Sequence, residues 1–151
     1  MQVNSRSAAW KQGVAVVVVA AASVIALLYR MHAPFDRDTL DIQVEALHSH
    51  AAEAGLLVRE ARADRLAPGF VAGHARQLAE NVRRAQEALS ATPAQVRFAS
   101  LQASAQALGA VLHARLQALA LDGRAPRTRA FGFDDIAQRF DALHQRLAPG
   151  G

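Results

Sequence analysis

The sequence predicts an all-α protein: an N-terminal single transmembrane helix followed by an antiparallel up-down four-helix bundle. Three observations predict it: an uncharged apolar run near the start, heptad spacing through four later segments, and short connections rich in helix-capping residues. Period-2 alternation gives no support for strands. The chain divides into a tail at 1–12, an anchor at 13–30, a linker at 31–38 and a bundle at 39–148.

The anchor rests on GVAVVVVAAASVIALLY, residues 13–29, which carries no charge, inside an uncharged window between Lys11 and Arg30. As a helix that window is about 27 Å long, close to a hydrocarbon core of about 30 Å. Trp10 and Tyr29 stand at its two ends, where amphipathic rings favour the headgroup region, and Lys11 and Arg30 can snorkel beside them. Membrane lipid, contacted through residues 13–30, is therefore the first expected partner. The rival is a cleaved signal peptide ending at Ala20-Ala21-Ala22, but cleavage there would leave VIALLY exposed at the new terminus. A short tail followed by the main domain favours the inner (cytoplasmic) membrane, with the N-terminus in the cytoplasm and the bundle in the periplasm or outside.

Pro34 separates the anchor from the first bundle helix, expected at about 39–63, whose seam runs through Leu40, Val44, Leu47, Ala51, Ala54, Val58 and Ala61 in steps of four and three. Asp36, Asp38 or Thr39 can cap it. Pro68 opens the second helix, 68–90, with Val71, Ala75, Leu78, Val82, Ala85 and Leu89 as its seam. Thr92-Pro93-Ala94-Gln95 reads as a capped start for the third, 93–121, whose pattern through Phe98, Leu101, Ala105, Leu108 and Leu112 slips past Arg115 to Leu116 and Leu119. Asp134 and Asp135 favour a helix start at 134, and the last helix, 134–148, continues a pattern that begins at Phe133 and runs through Ile136, Phe140, Leu143 and Leu147. Short links make consecutive helices antiparallel neighbours.

Composition excludes several functions. There is no cysteine, hence no disulfide, thiolate metal site or cysteine nucleophile. The formal charge is +4, but from Met31 onward 14 Arg stand against 13 Asp plus Glu, a balance of +1, with signs interspersed; this does not predict nucleic-acid binding. No glycine-rich phosphate loop or serine elbow is present, so neither an enzyme nor a cofactor is expected.

EALHSHAAEA, residues 45–54, contains Glu45-x-x-His48, a spacing that di-iron bundles turn inward on two helices. Here Val44 and Leu47 fill the inward positions, which puts Glu45 and His48 on the flank, and no second copy of the spacing occurs. What remains is a weak cross-helix metal or pH site: counting rises along the helices puts His48 about 14 Å and His144 about 20 Å from the same end, both at flanking positions that face one another, and His74 and an outward-facing His113 at similar heights.

On the surface, Ile42, Ser49 and Leu56 share the line opposite the first seam, and Leu57 widens the apolar zone beside them. Together with the broad apolar circumference of the third helix, they suggest a protein partner or homo-oligomer. The connection DGRAPRTRAFG brings Arg124, Arg127 and Arg129 to the membrane-distal end, where they suit an acidic partner. The function expected is thus a non-enzymatic single-pass membrane protein whose bundle is an interaction, scaffold or accessory module. The alternative is a membrane-tethered periplasmic sensor or metal-binding protein. In outline, an anchor followed by about 115 helical residues is similar to periplasmic metal-resistance sensors and stress-response helical proteins, though no motif of either is shared.

Overall fold

The computed structural model describes residues 36–124 and 132–148; the expected tail and anchor lie outside them. Among the described residues there are four α-helices and no strand. These are α1 (Arg37–Arg62), α2 (Pro68–Ala91), α3 (Ala99–Asp122) and α4 (Phe133–Leu147), with a short 3-10 helix, Val96–Phe98, before α3. None of them is long and apolar enough to cross a membrane.

The four seams meet in one core, whose bulk comes from Phe133, Phe140 and leucines of all four helices. Each helix packs against its neighbours in the chain, and α4 closes the ring on α1. Polar contacts give the directions. At one end Arg37 donates to the carbonyl of Leu147, and at the other Arg59 lies 2.7 Å from Asp134, so α1 and α4 run antiparallel. His113 reaches Ala79 and Gln106 reaches Leu89, which sets α2 and α3 antiparallel too.

The ends follow local chemistry. The Asp36 carboxylate accepts from the Thr39 amide at 2.9 Å, so α1 begins at Arg37 and takes in the last two residues of the expected linker. Its C-terminus turns over at Asp64, whose φ of 55° is left-handed, while the Arg65 amide reaches back to the Glu60 carbonyl. Pro68 occupies the first turn of α2 as expected. Gly123, at φ 62°, ends α3 and lies against the Pro68 backbone: an added Cβ would come within 2.8 Å of the Pro68 carbonyl oxygen.

One boundary is corrected. Thr92 does not cap α3; it is extended and ends α2, and α3 starts only at Ala99. The reason is Gln102, the one buried polar side chain among the described residues. Its carbonyl oxygen accepts from the Ala94 amide at 2.8 Å, and its amide donates to the carbonyls of Leu89 at 2.6 Å and Thr92 at 2.8 Å. This one side chain satisfies an orphan carbonyl at the end of α2 and holds the Thr92–Ala94 backbone extended.

Candidate functional site

The histidines do not form the expected pairs. His144 donates from Nδ1 to Asp41 at 2.7 Å, with Glu45 at 3.9 Å; His48 is not its partner. The last turn of α4 is level with the first turn of α1, as the contact of Arg37 with Leu147 requires. His144 therefore lies only about one turn from that end, level with Asp41, and not at the height of about 20 Å that counting rises gives it. His48 instead lines a shallow cleft with Asp134, Gln138 and Asp141 of α4. Likewise His74 donates from Nε2 to Glu53 at 2.8 Å, and His113, half-buried rather than outward, donates from Nδ1 to the Ala79 carbonyl at 3.0 Å.

The chemistry of these groups is limited. Among the described residues no three His, Asp or Glu side chains are placed to hold a metal ion. His50 is distinctive: its Nδ1 is buried without a hydrogen-bond partner, and burial pushes the imidazole below its ordinary pKa, with Glu53 partly opposing. Ser90 and Ser104 each donate to the carbonyl four residues earlier in their own helix, which engages the hydroxyls locally.

The surface is more informative. Ile42 is 65% and Leu56 51% exposed on the outer line of α1. Leu57 is corrected: it is 5% exposed, because it shares a face with Glu53, four residues earlier, and that face turns toward α2, where Glu53 meets His74. Phe70 is exposed and stacks on the His74 ring with centroids 5.7 Å apart. Leu56 and Phe70 each lie about one turn from the Glu53–His74 bond along their own helices, both toward the α1–α2 connection. Arg124 is exposed at the end of α3; Arg127 and Arg129 lie outside the described residues.

The outward face of α3 differs from the other three. α1, α2 and α4 expose charges along their lengths, including Arg59 and Glu53, Arg83 and Glu87, and Asp134 and Asp141. From Ala99 to Leu121 every exposed position of α3 is uncharged, and most are alanine; Arg115 is half-buried. Val111 is 43% and Leu121 90% exposed on this face. Beside it, between α2 and α3, runs a cleft of about 650 Å³ whose walls include Ala79, His113, Ala120 and Leu121, rimmed by Arg76, Glu80 and Arg83.

Compared with known protein families, curated proteins and solved structures, the chain matches none.

Proposed function

We propose that the chain is a single-pass membrane protein whose extracytoplasmic bundle serves as an interaction or scaffold module. The membrane half of this reading rests on the sequence of residues 13–30, an uncharged run long enough to cross a bilayer as a helix. The observation that carries the interaction half is the outer face of α3. Its exposed positions from Ala99 to Leu121 carry no charge and include Val111 and Leu121, whereas a helix face left to solvent is ordinarily charged and polar. The exposed Leu56 and Phe70 on the α1–α2 hairpin add a second apolar area.

Alkaline extraction of membranes from cells expressing the full chain tests the anchor. The chain stays with the lipid fraction, and a membrane-impermeant thiol reagent labels a cysteine placed at Ser49 in intact spheroplasts. Release of the chain into the soluble fraction would overturn the anchor, and labelling only after lysis would reverse the orientation.

A second reading, a membrane-tethered pH sensor, is supported by His144 between Asp41 and Glu45, a contact joining the first and last helices. Loss of the His144–Asp41 coupling in a double-mutant cycle at both pH 5.5 and pH 7.5 would remove its basis.

A further inference from the structure

We infer that the α2–α3 connection, residues 92–98, is a lipid-contacting tip: Val96 enters the surface of the bilayer that holds the anchor, and Arg97 binds a headgroup phosphate beside it. The inference rests on the anchor reading and adds a second membrane contact to it.

The place of the tip follows from the packing. The Glu53–His74 bond stands about 24 Å from Arg37 along α1 and about 26 Å from Ala91 along α2, so the end of α2 is level with the start of α1. The connection that leaves α2 therefore sits at the end of the bundle where the chain enters it. Residues 31–36 alone join Arg30 to α1, and fully extended they reach no more than about 25 Å. The α1–α2 connection lies a further 39 Å or so along α1, so it is residues 92–98 that the anchor keeps within reach of the lipid.

The chemistry of the tip suits that surface. Val96 is 95% exposed, and Ala91, Pro93 and Ala99 near it in the chain are exposed too. No acidic residue occurs between Glu87 and Asp122, and Arg97 is the only charged residue of 88–100. At the opposite end, by contrast, the α1–α2 connection carries Asp64 and Arg65 close to Glu60 and Arg62. The turn that presents Val96 is held in place: Gln102 bonds to Thr92 and Ala94, the Phe98 amide donates to the Gln95 carbonyl at 2.8 Å, and Phe98 packs against the core. A lone exposed valine is ordinary where only water faces it; on a fixed turn tethered beside a bilayer it has an apolar phase to enter. The Arg97 guanidinium lies 4.6 Å over the Phe98 ring, a contact that steadies it and uses none of its N–H donors, which suit phosphate oxygens. Arg97 and Arg146 balance Asp36 and Asp38 at this end, so the contact is with the phosphate of any phospholipid and needs no anionic lipid. One valine gives a weak contact by itself, and the anchor populates it by making it intramolecular.

Because the chain contains no cysteine, one introduced cysteine carries the only label. The full chain is labelled with a fluorophore, reconstituted in phosphatidylcholine vesicles containing nitroxide-bearing lipid, and floated. A label at Ala99→Cys, one 3-10 turn past Val96, is quenched severalfold more than a label at Ala63→Cys at the opposite end. Adding Val96→Asp to Ala99→Cys brings its quenching down to the Ala63 level, and adding Arg97→Glu lowers it as well. Both added changes are at exposed positions, and circular dichroism checks that helicity is retained. Equal quenching at Ala99 and Ala63 in floated vesicles would overturn the proposal, as would quenching at Ala99 that Val96→Asp leaves unchanged. Stronger quenching at Ala110→Cys, on the outer face of α3, overturns it too, since the bundle then lies on its side. A label at Ala99 that is shielded in native membranes yet unquenched in pure lipid vesicles shows a protein covering the tip, and the lipid contact fails. A chain that does not float with the vesicles overturns the anchor reading, and the tip with it.

Discussion

Gln102 does more for the α2–α3 connection than any residue within that connection. Replacing it with leucine leaves the Leu89 and Thr92 carbonyls and the Ala94 amide without this partner, and the expected loss is about 2–3 kcal/mol in urea denaturation. Glutamate, nearly the same shape, is no remedy, because a carboxylate cannot donate to either carbonyl. An unchanged midpoint for Gln102→Glu at pH 7 would refute this role. His50 governs a different variable. Burial lowers its folded-state pKa below 6.5, so as pH falls the unfolded chain binds the proton first. Its contribution is fully present above pH 6.5 and is lost as pH falls through the folded value. His50→Leu should therefore flatten the dependence of unfolding free energy on pH below 6.5, as read from denaturation curves at several pH values. Neither role was legible in the sequence. Gln102 occupies a position that the heptad pattern leaves open, and its partners lie across a chain reversal; His50 is one of six histidines until folding buries its Nδ1.

At the scale of elements, the seams were legible because burial repeats with the helix. Val44, Leu47, Ala51 and Ala54 are all fully buried, as the spacing requires, and Ile136, Phe140, Leu143 and Leu147 do the same for α4. The slip past Arg115 was also readable, since Leu116 and Leu119 are buried on its far side. Axial offset between helices was not readable, because loop geometry and end contacts set it, and this is why His144 met Asp41 rather than His48. Two helix ends make opposite predictions. Asp64 holds a left-handed conformation that costs a side chain energy, so Asp64→Gly should stabilise the fold by about 0.5–1 kcal/mol in thermal denaturation. Gly123 needs both its positive φ and the space beside Pro68, so Gly123→Ala should destabilise by about 1–2 kcal/mol or more. Should both substitutions shift the melting temperature in the same direction, the assignment of these two caps would fail.

For the molecule as a whole, the parts differ in how far along the chain their contacts reach. The Gln102 contacts span 8 to 13 residues. Those joining α4 to α1 span 75, 103 and 110. Closing a longer loop costs more chain entropy, and that cost is met before the contacts form. The α2–α3 hairpin is thus the natural early unit of folding, and α4 the late one. α4 is also the shortest helix, with 15 residues. The same asymmetry orders local opening in the native state: amides of α4 should exchange with deuterium before those facing the core in α2 and α3. The contact of Arg37 with Leu147 then takes on a kinetic meaning, since it ties the last segment to dock to the first turn of the bundle and sets how often that segment lets go.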